Sequence, residues 1–303
     1  MRRKLKQAFY LFQKIISGVL YPFCVLLGYI PKDQAITVLM YHKVSSAPPE
    51  STEVRYDNVF PGQFADQLKY LHENGYNVVS LDNYLSWHSG EKKLPRKSVV
   101  ITFDDGYKSV YLNAFPILRR YGFPAAIFLT VSGIGENKIF KWLLWDDKAL
   151  KDKATNKDNW ISLSWSEIKE MNAGGITFGS HTVSHPHLAK LDRDKIGEEL
   201  RNSKRQIEEN LSGTVNYFSY PVGIGRYGAF DDVTKSELIN NSFKMAFISE
   251  IGRNNRNSDL YAQKRIAVEE KDSLFDFKCK LVGAYDWVGV AQKTFQRLFK
   301  EVD

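Results

Sequence analysis

Cysteine is nearly absent. The chain of 303 residues holds two, Cys24 and Cys279. Two thiols cannot build a disulfide framework or a cysteine-rich zinc site, and they leave the redox compartment open. Histidine is scarce too, at six residues, so a cluster of imidazoles would stand out. There is no internal repeat, no low-complexity tract and no series of long apolar runs. Apolar residues at 43% and charged residues at 25% make an ordinary globular balance. A disordered tail protein, a collagen-like repeat and a multi-span membrane protein are thereby excluded. At roughly 100–200 residues per domain, the length allows one large domain or two small ones.

The formal net charge is +7, but its distribution is uneven. Arg2, Arg3, Lys4, Lys6 and Lys14 place +5 in the first 14 residues, with no acid among them. The rest of the chain holds only +2. So neutral a body offers no phosphate-tracking groove, and no nucleic-acid partner is expected.

An uncharged run from Ile15 to Pro31 follows Lys14. As a helix these 17 residues would measure about 25 Å, slightly short of a ~30 Å hydrocarbon core. No small-x-small cleavage site follows, which argues against a cleaved signal peptide. Leu5, Phe9, Phe12, Ile16, Val19 and Phe23 recur at helical spacing, while Lys6, Gln7, Gln13, Lys14 and Ser17 occupy the other side. This is the pattern of an amphipathic interfacial helix, with the membrane surface as partner through residues 1–31. A helix packed on the outside of the domain is the alternative. A spanning helix would keep Arg2 to Lys6 cytoplasmic and the body outside, whereas an interfacial one leaves the side open.

From residue 35 the pattern alternates. Apolar runs that read as buried strands are Ile36–Tyr41, Val99–Phe103, Ala125–Thr130, Ile176–Ser180, Val215–Tyr220, Met245–Ser249 and Arg265–Val268. Helical faces lie between them: Phe64, Leu68 and Leu71; Phe115, Leu118 and Tyr121; Ile168 and Met171; Ile196, Leu200, Ile207 and Leu211; Val233, Leu238 and Ile239; Leu274, Phe277 and Leu281. Repeated strand–helix units with continuous apolar strands imply an α/β fold with a parallel sheet covered by helices, and the number of units suggests a barrel. Residues 133–163 lack periodicity and read as an insertion. The expected division is an N-terminal helix over 1–34, a barrel over 35–290 and a C-terminal helix or tail over 291–303.

In a parallel barrel the site lies where strands end. His42 follows the first run, Asp104, Asp105 and Gly106 the second, His181, His185 and His187 the fourth, and Pro221 and Gly223 the fifth. Taken singly these are ordinary: Asp-Asp-Gly suits a turn, and H-x-x-x-H is common on surfaces. Together at strand ends they are less independent. One carboxylate and two imidazoles would make a three-ligand site for a divalent metal with an open position, and the second carboxylate would be left for proton transfer. Mixed nitrogen and oxygen ligands favour zinc, with cobalt or nickel also fitting.

Thr102-Phe103-Asp104-Asp105-Gly106-Tyr107 and Ser180-His181-Thr182-Val183-Ser184-His185-Pro186 resemble the first two motifs of the polysaccharide deacetylases, the carbohydrate esterase family 4 or NodB-homology proteins. The resemblance runs from about residue 36 to 290. It implies a distorted (β/α)7-type barrel and hydrolysis of acetyl groups from N-acetylated sugars. It maps the general base to Asp104 and the metal ligands to Asp105, His181 and His185. The family's third motif, Arg-x-Pro-Tyr, departs here: Ser219 stands where the arginine would, in Phe218-Ser219-Tyr220-Pro221. Arg265 is the candidate to replace it in orienting Asp104. The late Leu-His motif is missing, and no histidine follows His187. Met40-Tyr41-His42-Lys43-Val44 is similar to an early Tyr-His motif in the permuted branch acting on biofilm poly-N-acetylglucosamine, which makes His42 the candidate acid. Tyr107, Tyr220 and Pro221 are candidate substrate contacts.

The expected substrate is a bacterial cell-surface polysaccharide, an exopolysaccharide for example, or its lipid-linked precursor, at a membrane of the cell envelope. An O-acetyl esterase and an inactive glycan-binding homologue are the alternatives.

Overall fold

The computed structural model describes residues 2–27, 35–46, 58–135, 140, 160–225 and 228–291, with side chains from Phe9 onward. Most of the expected insertion over 133–163 and nearly all of the expected tail over 291–303 lie outside the described residues.

Helix α1 (Arg2–Leu27) comes first. Then follow β1 (Thr37–Tyr41), β2 (Lys43–Val44), β3 (Asn58–Val59), α2 (Pro61–Glu73), β4 (Asn77–Val78), α3 (Leu81–His88) and β5 (Ser98–Phe103). Next are α4 (Phe115–Tyr121), β6 (Ala125–Leu129), α5 (Trp165–Ala173), β7 (Ile176–Ser180), α6 (Arg193–Leu211) and β8 (Tyr217–Ser219). The last are α7 (Asp232–Asn240), β9 (Met245–Phe247), β10 (Ile266–Ala267) and α8 (Leu274–Leu281).

The main sheet runs β10-β1-β5-β6-β7-β8-β9, with β4 beside the start of β5. Every pairing in it is parallel. Its two ends meet through one stretch of chain. Gln263 bridges Phe247 of β9 in parallel, and three residues later the same backbone enters β10 against β1. Seven strand positions thus surround one interior, a distorted (β/α) barrel of the expected kind.

The period of two sorts the strand residues. Leu39, Tyr41, Ile101, Phe103, Ile127, Leu129 and Phe218 face outward and join the core under the surrounding helices. Val38, Val100, Ala126, Phe128, Tyr217 and Phe247 form a second, inner cluster. By the same parity, Thr102 and Asp104 at the end of β5, His181 after β7 and Ser219 of β8 belong to the inner set. Apolar strands buried on both faces explain why the sequence shows runs rather than alternation.

Several helices begin at strong caps. Ser164 with Glu167 and Ser273 with Asp276 form capping boxes, while Asp192 and Asp231 accept from Lys195 and Thr234 backbone amides.

Several sequence expectations change. Leu274 is exposed and does not share the buried face of Phe277 and Leu281, and the strands expected over Met245–Ser249 and Arg265–Val268 narrow to Met245–Phe247 and Ile266–Ala267. Helix α3 had no counterpart; its Leu81, Tyr84 and Trp87 join the inner cluster, and Tyr84 hydrogen-bonds Gln263. At eight residues it is too short for a periodic signal. The pairs β2–β3 and β4–β5 were likewise too short to read. Val233 and Ile239 do not share a buried face with Leu238: both are exposed, and Thr234 and Glu237 are buried beside Leu238 instead. The strand expected over Val215–Tyr220 narrows to Tyr217–Ser219.

Helix α1 packs on α8 and on residues 282–288 through polar groups near its start and through Leu20, Tyr21 and Cys24 farther along. Tyr10 donates to Asp272 at 2.7 Å, Lys14 pairs with Asp276 at 2.7 Å, and Trp287 donates to Ser17 at 3.2 Å. Gln13 and Ser17 are buried, whereas Leu11, Ile15, Val19 and Leu26 are exposed.

Gly179 sits at a close approach inside the barrel. A Cβ there would lie 2.6 Å from the Phe128 ring and 2.7 Å from the Tyr217 carbonyl oxygen. Gly179→Ala is expected to cost about 1–3 kcal/mol by overpacking, read from denaturant unfolding. Since β7 carries His181 two residues on, the variant should also weaken divalent-metal affinity in a calorimetric titration.

Candidate active site

Three strand ends converge. Asp104 and Asp105 leave β5, His181 leaves β7, and Arg265 enters β10 from the closing stretch. The main-chain ladder carries each into place: Asp104 N–H donates to the Tyr41 carbonyl at 3.0 Å, and His181 N–H to Leu129 at 2.9 Å.

Asp104 is held from two sides. Arg265 Nη1 donates to Oδ1 at 2.7 Å and Nη2 to Oδ2 at 2.6 Å, a bidentate pair. Arg265 is completely buried. Its Nε donates to the Ile248 carbonyl at 3.1 Å, and Nη2 also donates to Ser219 Oγ at 2.9 Å. Ser219 Oγ in turn donates to Asp104 Oδ2 at 3.3 Å. Ser219 therefore keeps contact with the same carboxylate although it has no charge. Burial pushes the Asp104 carboxyl up, but the charge of Arg265, helped by His181, the Arg265 hydrogen bonds and His42, more than reverses this. The group stays ionised well below the usual carboxylate range.

Asp105, His181 and His185 face one another. Their ligating atoms all lie within 4.8 Å. Asp105 Oδ1 is 3.5 Å from His181 Nε2 and 3.6 Å from His185 Nε2. His181 Nδ1 lies 2.7 Å from the Ser219 carbonyl oxygen, which can only accept, so Nδ1 carries the proton and Nε2 turns its lone pair to Asp105. A carboxylate oxygen and an imidazole lone pair aimed at each other are two electron donors without a proton between them. That chemistry fits a divalent cation, and the donor set suits zinc, cobalt or nickel.

The loop between the histidines is built for this. Val183 and Ser184 amides donate to Glu199 Oε2 of α6 at 2.7 and 3.0 Å, and His185 N–H donates to Thr182 Oγ1 at 3.0 Å. Glu199 is a positioning group that the sequence did not single out, because an acid on a charged helix carries no signal. Asp105, Thr182, His185 and Val222 all adopt positive φ, at 73°, 72°, 61° and 65°. For a β-branched residue such as Val222 this is costly backbone, and strain of this kind gathers at functional sites. Gly106 follows at φ 89°, where a Cβ would sit 2.7 Å from Leu129.

The remaining candidates are placed as follows. His42 is half-buried at the end of β1, and its charge is felt by both Asp104 and His185. Tyr107 is buried, edge-on to Phe140 with ring centroids 5.3 Å apart. Tyr220 is fully enclosed; its hydroxyl donates to the Tyr261 carbonyl at 2.9 Å and its ring packs on Phe218 and Phe230. Both rings are packed among protein groups, Tyr107 also beneath Lys43 Nζ at 5.4 Å from its centroid. Pro221 is buried in the following turn.

A parallel barrel with an Asp-His-His cluster and an arginine-pinned second aspartate defines a hydrolase site of the deacetylase class. The family model described as polysaccharide deacetylase matches residues 91–245, and the chain belongs to that family. Its members are metal-dependent in general. The chain is similar to the poly-beta-1,6-N-acetyl-D-glucosamine N-deacetylase of Staphylococcus aureus strain MRSA252, at 26% identity over 79% of this chain and 80% of that one. Its fold matches IcaB from Ammonifex degensii with a TM-score of 0.66, at 25% identity over 82% of this chain and 98% of that one. It also matches the Streptococcus pyogenes deacetylase PplD, solved in complex with acetate, with a TM-score of 0.68, at 24% identity over 82% and 99%.

Burial, the largest influence on each, pulls both His181 and His185 down to about 4, against the opposing charge of Asp104. Unfolded histidine binds its proton near 6.5. Between these values the unfolded chain holds more protons, so stability falls as pH falls. Chelator-treated protein is expected to lose stability from about pH 6.5 toward 4, by up to about 1.4 kcal/mol per pH unit for each histidine, in denaturant melts across that range. His181→Gln should flatten the slope.

Proposed function

We propose that this protein is an N-deacetylase that removes acetyl groups from N-acetylated sugars of a bacterial cell-surface polysaccharide. The observation that carries the reading is the paired geometry of the two aspartates: Asp105 faces two imidazoles while its neighbour Asp104 is pinned by Arg265. The likeness to the Staphylococcus aureus enzyme supports the choice of an amide substrate.

Asp105, His181 and His185 would hold the divalent cation, zinc by preference, which lowers the pKa of water and polarises the acetyl carbonyl. Asp104 accepts the proton from the attacking water. An aspartate held this far down is a weak base, so the proton must come from an acidified water rather than from bulk. Arg265 keeps that carboxylate ionised and fixes its plane, the task the family's pattern gives to an arginine at the position of Ser219. The backbone amide of Tyr107, at the turn after Asp105 and Gly106, is our assignment for a contact to the developing oxyanion. Pro221 shapes the opposite wall through its turn. His42 gives a proton to the sugar nitrogen as the C–N bond breaks, because an unprotonated amine leaves poorly. An acid taken from the first strand end supports reading this chain as one of the permuted branch. Residues 1–31 attach the enzyme to a membrane of the cell envelope, which suits a nascent or lipid-linked glycan.

Asp104→Asn is expected to retain bound metal by elemental analysis yet lower acetate release from an N-acetylglucosamine oligomer by about 10²–10⁴-fold. Full retained rate would remove Asp104 from the base role. His42→Ala should slow amide hydrolysis by a similar factor but barely touch an activated acetyl ester, whose leaving group needs no proton. Equal losses on both substrates would show that His42 is not the leaving-group acid.

A further inference from the structure

Helix α1 docks on the barrel through a mixed stripe: Gln13 and Ser17 are buried there, Tyr10 and Lys14 bind Asp272 and Asp276, and farther along Leu20, Tyr21 and Cys24 pack on the apolar cluster around Cys279, Tyr285 and Val288. A second apolar stripe points away from the protein. Leu11, Ile15, Val19, Phe23 and Leu26 are exposed at 59%, 58%, 63%, 58% and 69%. Successive spacings of three or four residues draw them into one line along the helix. The line is widened on one side by Phe275 of α8, exposed and edge-on to Tyr21, and by Phe12, edge-on to Trp287. A contiguous apolar face of this kind needs an occupant.

We infer that this face lies flat in the headgroup layer of a bilayer, with the whole barrel riding on the leaflet and no segment of α1 crossing it. The inference rests on the membrane attachment proposed above and specifies its mode. Two arguments choose a lying helix over a spanning one. To span, α1 would have to leave the barrel, which strips the largely buried Asp276 of its partner at 2.7 Å. It would also carry Lys14 toward hydrocarbon. Charge chooses lipid over a second copy of the chain. Arg2, Arg3, Lys4 and Lys6 precede the apolar line, and the sequence has no acid before Asp33. Anionic headgroups complement that start, whereas α1 of another copy offers no acid to meet it.

The docking also sets where the site opens. Tyr10 and Lys14 touch residues 271–276, just beyond the C-terminal end of β10, and Cys24 packs farther along, with Cys279 of α8. Thr37 Oγ1, at the start of β1, donates to the Leu281 carbonyl, so α8 descends from the catalytic rim to the barrel base and α1 descends with it. The start of α1 therefore stands at the catalytic rim, and the mouth of the barrel opens beside the lipid surface rather than away from it.

The test uses the full chain and vesicles of phosphatidylcholine alone or with about one third phosphatidylglycerol. Flotation should show binding that is stronger on the anionic vesicles, weakened by salt and released by alkaline carbonate. The double variant Ile15→Asp and Val19→Asp, on exposed positions, should lose at least about tenfold in vesicle affinity. It should keep its circular dichroism spectrum and its acetate release from a soluble N-acetylglucosamine oligomer, but lose release from the same oligomer tethered to vesicle lipid. Carbonate-resistant binding with a protease-protected α1 would overturn the lying mode while leaving attachment intact. Unchanged vesicle affinity in the double variant, or a wild-type dimer that the variant dissolves, would overturn the apolar line as the lipid contact. Failure to bind either vesicle would sink both the mode and the attachment. Acetate release from the soluble oligomer judges the catalytic reading independently of all these outcomes.

Discussion

The ion pair between Arg265 and Asp104 is the constraint around which the site is arranged. Both groups are essentially removed from water, and the Asp104 carboxylate stays ionised there chiefly because the guanidinium lies against it. Breaking a buried pair of this sort by removing one partner costs about 3–5 kcal/mol. The pair also ties together elements distant in the chain: β5 supplies the carboxylate, the closing stretch before β10 supplies the guanidinium, and β8 supplies Ser219 to both. A barrel that failed to close between β9 and β10 would leave a charged arginine in its interior. Closure of the sheet and ionisation of Asp104 are thus one event seen from two sides.

This arrangement separates two adjacent aspartates chemically. Asp104 and Asp105 are neighbours in the chain, yet the positive φ at Asp105 turns it away from Arg265 and toward His181 and His185. One carboxylate is committed to hydrogen bonds from a guanidinium, and the other meets imidazole lone pairs. Positive φ gathers around this division, at Asp105, Thr182, His185 and Val222, and the hydrogen bonds that Glu199 Oε2 accepts from Val183 and Thr182 Oγ1 from His185 offset part of its cost.

In the proposed reading, Arg265 takes over from the approach to β10 the task that the resemblance gives to an arginine at Ser219. A carboxylate in that role needs a cation against both of its oxygens, inside the barrel, and no particular strand is needed to deliver it. Ser219 is short enough to let the Arg265 side chain through, and its hydroxyl still bonds the same oxygen. At the periphery, α1 follows a comparable logic: Tyr10, Lys14 and Ser17 fix it to the barrel by polar contacts while Leu11, Ile15, Val19, Phe23 and Leu26 stay outward.

Local pattern alone determined a good deal. Continuous apolar runs marked seven strand positions because strands buried on both faces need apolar side chains throughout, and the residues just after them named Asp104, Asp105, His181, His185 and His42. Period-two parity is also local, so the inward direction of Asp104 follows once its strand is placed. Tertiary structure decided the rest. Tyr107 and Tyr220 became packing residues because neighbours far along the chain enclosed their rings. Helix α3, too short to announce itself, entered the inner core because Gln263 and Phe247 were there to receive it. Which side of α1 would be covered could not be read from its amphipathic pattern, since that depends on Asp272 and Asp276, more than 250 residues away. Side-chain type reports what a position can bury, whereas the partner that does the burying is supplied only when the chain closes on itself.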